Sequence, residues 1–276
     1  MPGQSFRGFA EKVAVVTGGG RGVGRAVALS LALEGAYVVV AYAPGDEGGA
    51  NVSTELREMG TLAHAVEADV SGEADVEKLF DAVAGAYGRL DLLVNAASFS
   101  SAKPVAELTA EDWERTVGVS LRGAFLCARA ALPLMRGRPT PAIVNVCSEA
   151  GLTGRGASAA YVSAEAGVVG LTKALARELA PRVRVNCVAV GGAPSLEEVG
   201  GRSRTTIGES DEVSGTASDT AFDRRANESP ALESFIAETL LGRQPAADEA
   251  ARACLYLLSP DARSITGETL VVGGSR

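Results

Sequence analysis

The residues whose types and spacing could do chemistry begin at Thr17. The run Thr17-Gly18-Gly-Gly20-Arg21-Gly22-Val23-Gly24 follows the apolar, β-branched stretch Val13–Thr17 and opens a helical pattern at Arg25. Glycines permit a tight turn and let the backbone approach a pyrophosphate. The helix that follows offers unpaired N–H groups and a favourable dipole. Placed between strand and helix in an alternating chain, the turn reads as a dinucleotide cradle. An acidic side chain ending the second strand would bond an adenosine ribose 2′-OH. Here Val40-Ala-Tyr42-Ala-Pro44 carries none before Asp46. A 2′-phosphate would meet no repelling charge at Tyr42, and Arg21 can pair with it. These residues favour NADP(H) over NAD(H).

The elements that must position this turn alternate. Short apolar runs at Val13–Thr17, Tyr37–Tyr42, Leu62–Ala68, Leu92–Asn95, Ala142–Val146, Val183–Val188 and Thr269–Val272 read as strands. Helical patterns lie between them at Gly24–Glu34, Ala50–Met59, Glu73–Tyr87, Ala110–Leu134, Ala157–Leu179 and Ala247–Leu258. Near-continuous apolar strands separated by helices imply an α/β chain: a doubly wound Rossmann fold whose seven-stranded parallel sheet is covered on both faces. The expectation is one domain over residues 1–276. The polar stretch 195–239 is too long for a routine connection and reads either as a flexible surface loop or as a lid over a substrate pocket.

Composition removes other functions. Lys+Arg 26 against Asp+Glu 34 gives a net charge of -8, which repels phosphate backbones and argues against nucleic acid. His64 is the sole histidine, so a Ser-His-Asp hydrolase, a Cys-His protease or a histidine-rich metal site is not expected. Cys127, Cys147, Cys187 and Cys254 have no CxxC spacing and read as reduced, packed thiols of a cytoplasmic protein. Met1–Glu11 does not read as a signal peptide, and no membrane span is expected.

Together these residues resemble the short-chain dehydrogenase/reductase family over nearly the whole chain, above all its acyl-carrier-protein ketoreductase-like and pteridine-reductase-like members. Thr17-Gly18-x-x-x-Gly22-x-Gly24 matches that family's cofactor turn, Asp69-Val70 its adenine-contacting pair, and Asp91-Leu-Leu-Val-Asn95-Ala96-Ala97 its fourth-strand motif. Ser148 precedes Tyr161 by the family's thirteen residues. Val183-Arg-Val-Asn186 and Ile265-Thr-Gly267-Glu-Thr-Leu270 resemble its later strands. The resemblance implies that Gly191, like the turn residues, Tyr42, Asp69, Val70, Asn95, Ala96, Ala97, Tyr161 and position 165, faces the cofactor. It implies hydride transfer between a nicotinamide and a carbonyl or alcohol carbon. Tyrosine would exchange the proton, and serine would orient the substrate oxygen.

Two positions depart from the pattern. Tyr161-Val-Ser-Ala-Glu165 puts a carboxylate where the family has a lysine, and Val119-Ser120-Leu121 puts a serine where it has an asparagine. Residues four apart share a helix face. An anion there disfavours tyrosinate where a cation would favour it, which slows alcohol oxidation most. Glu165 can still accept hydrogen bonds from ribose hydroxyls. The fourth-strand motif also runs on to Ser98, where the family more often has asparagine and glycine. Two readings stand: a reductase with an altered relay of Tyr161, Ser148, Glu165 and Ser120, in which Glu165 can take a general acid or base role, or a redox-impaired member that serves as an isomerase, a cyclase, a regulator or a partner of an active paralogue.

Plainer expectations cover the rest. Trp113 reads as core, His64 as structural or exposed, and Cys147 as a packed thiol. Glu149 and Arg155 flank the substrate side and read either as contacts for a polar substrate or, equally well, as simply exposed. Lys103 is the one nearby candidate for a replacement cation. The two long helices, rich in Ala, Leu and Val, suit an isologous interface, so a homodimer or homotetramer is expected, with a heteromer of paralogues as the alternative.

Overall fold

The computed structural model describes residues 8–46, 48–101, 103–154, 156, 159–191 and 239–274. Its strands are β1 (Val13–Thr17), β2 (Tyr37–Tyr42), β3 (Ala63–Glu67), β4 (Leu92–Asn95), β5 (Ala142–Ser148), β6 (Arg184–Val190) and β7 (Thr269–Val272). All pair in parallel in the order β3-β2-β1-β4-β5-β6-β7. The helices are α1 (Gly22–Leu33), α2 (Gly48–Glu58), α3 (Glu73–Tyr87), α4 (Ala110–Val117), α5 (Gly123–Met135), α6 (Ala150–Thr153), α7 (Ala159–Leu179) and α8 (Ala247–Leu258).

The continuous apolar strands are buried on both faces because successive side chains alternate sides. Ala14 and Val16 of β1 pack under α1 and α8, with Val27, Leu31 and Leu258. Val13 and Val15 pack under α3, α5 and α7, with Leu79, Cys127 and Leu179. Each fully buried Val or Leu in these layers is worth about 1.5–3 kcal/mol. The edge strands β3 and β7 keep part of their surface open.

Strand order reverses between β1 and β4, and at the carboxyl end of this switch point Thr17 lies in register with Asn95. Thr17 Oγ1 accepts from the N–H groups of Ala96 (3.2 Å) and Ala97 (3.3 Å) and so ties the glycine turn to the loop after β4.

The expected long helix 110–134 is interrupted. Thr109 caps α4 in a reciprocal pair with Asp112. A π-helical turn then spans Gly118–Arg122 before α5 begins. Such a turn accommodates an extra residue in the ladder and redirects the side chains within it. Here it turns Ser120 inward, where it is 4% exposed. A Cβ on Gly123 would stand 2.8 Å from Val70 Cγ2, so glycine permits the close contact with the end of β3's connection. By length and composition alone Ala110–Met135 is long and apolar enough to cross a membrane. In this fold Thr116, Ser120, Ala124, Cys127, Ala128 and Ala131 of that run are buried inside the protein.

Of the 195–239 stretch only Thr239 falls among the described residues, and the two readings of that segment lie outside them.

Candidate active site

A cleft of about 510 Å³ opens along the carboxyl ends of the strands. Gly18, Arg21, Gly22, Val23, Gly24, Tyr42, Asp69, Val70, Ala96, Ala97, Ser148, Tyr161, Glu165 and Gly191 all line it. Sequence reading had singled out each of these. Thr17, Gly20, Asn95 and Ser120 stand behind the wall and act through what they hold. Gly20 presses on the start of α2, where a Cβ would come within 2.6 Å of Gly49 N. Asn95 Nδ2 donates to Asn145 Oδ1 (2.9 Å) and Ala124 O (3.3 Å), which joins β4 to β5 and α5.

The turn fits a dinucleotide. Gly18 has φ +63°, and a Cβ there would meet the Ala96–Ala97 peptide at 2.8 Å. A Cβ on Gly24 would come within 2.2 Å of Gly18 O. Gly22, at φ +53°, faces open space in the cleft. The backbone is thus exposed where a pyrophosphate needs to approach, beside the first turn of α1.

At the end of the cleft beside β2 the structure adds a group that the strand-end argument set aside. Asp46 lines the cleft with Arg21, Tyr42 and Ala43, and its Oδ1 accepts from Gly48 N–H (2.9 Å) at the start of α2. Asp69 Oδ1 accepts from Ser71 N (2.9 Å) and Ser71 Oγ (2.7 Å), which fixes the turn after β3.

At the reactive end, Tyr161 and Glu165 stand one helical turn apart on α7 beside Ser148 at the end of β5. Glu165 is 2% exposed. Its Oε2 accepts from Ser148 N–H (2.6 Å), and its Oε1 accepts from Ser98 Oγ (3.0 Å). Ser98 Oγ lies 3.2 Å from Ser120 Oγ. Ser120 Oγ in turn accepts from Phe99 N (3.1 Å) and lies 3.4 Å from Phe99 O. Ser98 was noted in the sequence only as a departure from a motif. Gln244 and Pro245, which also line the cleft, carried no sequence signal.

Four expectations need correcting. Lys103 is no replacement cation: its ammonium binds both oxygens of Asp112 (2.9 and 2.7 Å) at the start of α4. Trp113 is not core. It is 39% exposed, because α4 buries only Thr116 against the body. Glu149 is not an exposed flank. It is 6% exposed, and its Oε2 has no hydrogen-bond partner. That oxygen sits against Gly191 and Gly273, where a Cβ would come within 2.5 and 2.3 Å of it. Asp46, as above, lines the cleft with Arg21 and Tyr42 although it lies beyond the end of β2. Arg155 lies outside the described residues. Cys147 is buried as expected: a hydrogen bond with Cys187 (Sγ–Sγ 3.3 Å) and then burial push its thiol far up, away from nucleophilic use. His64 is exposed on β3, edge-on to Tyr87.

Comparison with known proteins agrees with this geometry. Residues 12–195 match the short chain dehydrogenase family, and residues 211–274 match a family described as enoyl-(acyl carrier protein) reductase. The chain is 33% identical over 264 residues to a 3-oxoacyl-[acyl-carrier-protein] reductase of Staphylococcus aureus, covering 95% of this chain and 97% of the relative. It is 40% identical over 181 residues to a reductase of the same description from Synechocystis, covering 65% and 73%. It is also 35% identical over 271 residues to a 3beta-hydroxysteroid dehydrogenase of Mediterraneibacter gnavus, covering 96% and 95%. With a seven-stranded parallel sheet, a glycine turn at its switch point and a serine–tyrosine pair at the far end of one cleft, the chain belongs to the short chain dehydrogenase family and is an oxidoreductase.

Proposed function

We propose that this protein is an NADP(H)-dependent carbonyl reductase, built as one Rossmann-type unit, in which a carboxylate replaces the usual cation beside the tyrosine. The observation that carries the reading is the convergence of Ser148, Tyr161 and Glu165 on the cleft that also holds the glycine turn. The turn Gly18–Gly24 would hold the pyrophosphate, Asp69 and Val70 the adenine, and Ala96, Ala97 and Gly191 the nicotinamide half. The bound nicotinamide would supply or take the hydride.

The chain's own residues do the rest. Ser148 Oγ orients the substrate oxygen. Tyr161 gives its phenolic proton to that oxygen as the carbonyl carbon receives hydride. Glu165 holds Ser148 through its backbone N–H and offers an acceptor to ribose hydroxyls. Reduction needs the protonated phenol, which a neighbouring carboxylate favours. The site therefore suits reduction better than alcohol oxidation.

Arg21 supports the phosphorylated cofactor. Asp46 argues the other way, although its Oδ1 is already engaged by Gly48 N–H. Direct comparison of dissociation constants decides this, and tighter binding of NADH than NADPH would overturn the cofactor assignment. The similarity to acyl-carrier-protein and hydroxysteroid enzymes supports a ketone or acyl thioester as substrate class. The assay is NADPH oxidation against ketones, acyl thioesters, quinones and pterins. Activity that disappears in Tyr161→Phe supports the reductase. A protein that binds cofactor but reduces nothing supports the second reading, a non-redox catalyst or a partner of an active paralogue, for which the altered positions 165 and 120 speak.

The exposed Phe125 on α5 and Trp113 on α4 support self-association through the long helices as a homodimer or homotetramer. A monomeric mass by light scattering would remove that assignment.

A further inference from the structure

Glu165 is buried, yet the groups around it satisfy it in either protonation state. In the ionised state Ser148 N–H donates to Oε2, Ser98 Oγ donates to Oε1, and Ser120 Oγ is placed to donate to Ser98. In the neutral state the chain of hydroxyls can turn round. Oε1–H donates to Ser98 Oγ, Ser98 donates to Ser120 Oγ, and Ser120 donates to the Phe99 carbonyl 3.4 Å away. Ser148 N–H and Phe99 N–H keep their acceptors in both states. Protonating a buried carboxylate ordinarily strands one of its donors, at the cost of an unmade hydrogen bond. Here only two hydroxyl rotations are needed. The Phe99 carbonyl is what completes the reversed chain, and the π-turn at Gly118–Arg122 is what brings Ser120 to it.

The geometry points to Glu165 as a proton store, with Ser98 and Ser120 as a reversible hydroxyl chain that lets it change charge without a structural penalty. This rests on the reductase reading above. In reduction, hydride forms the new C–H bond, and the Tyr161 O–H bond breaks as its proton forms the substrate O–H bond. The tyrosinate then takes a proton from the Glu165 carboxylic acid, directly or through one water, leaving Glu165 ionised. Solvent in the cleft restores the acid. The net change is carbonyl plus hydride plus one proton to alcohol.

Among the described residues, the other titratable and charged groups nearby are Tyr161 on the same helix, Cys147 on β5, whose thiol feels the Glu165 charge, and Glu149 just before α6. From the remaining walls, Arg115 lies over the Phe99 ring at 4.2 Å and Arg122 is bonded to Ser71 O. Ser98 and Ser120 are positioning residues, since they act through Glu165.

The test is infrared difference titration of the cofactor-free protein between about pH 5 and 9. The expected result is a protonated-carboxyl band that titrates in this window and is missing in Glu165→Gln. Ser120→Ala removes the acceptor for Ser98 in the neutral state only, so the midpoint should fall by about one pH unit, equivalent to one net hydrogen bond. Ser120→Thr, which keeps the hydroxyl, should restore it. The native titration against Glu165→Gln stands as a test even if the Ser120 variants fail to fold. A native protein with no Glu165-dependent band overturns the proposal, as does an unshifted midpoint in folded Ser120→Ala. An active reductase without the band refutes the proton store alone. An inactive protein with the band and the shift refutes the reductase and retains the store.

Discussion

Replacing Glu165 tests the polarity of this site directly, because its surroundings present donors to it. Ser148 N–H at 2.6 Å and Ser98 Oγ at 3.0 Å both point at its oxygens, and the side chain is 2% exposed. Glu165→Gln keeps an acceptor for Ser148 N–H and gives Ser98 an N–H to accept, with the hydroxyl chain reversed. It should cost less than about 1 kcal/mol. Glu165→Ala strands the Ser148 N–H and opens a cavity, for a loss of about 2–4 kcal/mol. Glu165→Lys restores the family's residue type but aims a cation at a donor in a buried place. Uncompensated buried charge costs about 3–5 kcal/mol. At roughly 2–4 °C per kcal/mol for domains near this size, the Lys variant should melt at least about 6 °C below the native protein, with Gln within about 4 °C. Scanning calorimetry at fixed protein concentration reads the series. A Lys variant as stable as the native chain would refute the reasoning, as would Gln falling as far as Ala.

Gly24→Ala should weaken cofactor binding by at least about tenfold with the circular dichroism of the fold retained, because its Cβ would lie 2.2 Å from Gly18 O, and backbone cannot yield locally. Gly85→Ala is the control: it has open space on α3 and should stabilise by about 0.5–1 kcal/mol, read by urea titration. The four buried thiols should resist alkylation at pH 8 until the protein unfolds, since burial raises Cys127 to about 12 and pushes Cys254 higher still. Thiol counting with and without denaturant checks this. Asp112 is held far below the usual carboxylate range, first by its hydrogen bond from Lys103 and then by Thr109. Its stabilising contribution is therefore complete above the unfolded pKa near 4 and lost as pH falls toward its folded value. Melting temperatures between pH 5 and 3 should drop less steeply in Lys103→Met than in the native protein.

Much of the scaffold was legible because its signals are local. The limits of β1, β2, β4 and β7 follow from β-branched runs broken by glycine or polar residues, and the cradle from glycines between a strand and a helix. The interruption at Gly118–Arg122 was not, because a single π turn shifts the helical period too little to show, although Gly118 and Gly123 mark its ends. Burial at Glu149 and Trp113 was misjudged because it is not set locally. Glu149 is covered by Gly191 and Gly273, and Trp113 is left bare, through packing between segments far apart in the chain. Asp46 reaches the cleft because α2 starts against the glycine turn, which no spacing reveals.

The site itself was half legible. In the sequence Glu165 and Ser120 read as two separate departures, open to an altered relay or to a redox-impaired site. The fold makes them one feature. If a lysine had simply been lost, the acceptors it once satisfied would face carboxylate oxygens, which also accept, or nothing, and buried polar atoms without partners would collect there. Among the described residues, no oxygen of Ser98, Ser120, Ser148 or Glu165 is such an atom. The two hydroxyls, of Ser98 and Ser120, come from residues 22 apart in sequence, Ser98 lies 67 residues from Glu165, and the backbone N–H of Ser148 completes the set. A carboxyl group is the chemistry these donors fit, which supports the proposed altered relay at position 165 over the decay of a cationic site.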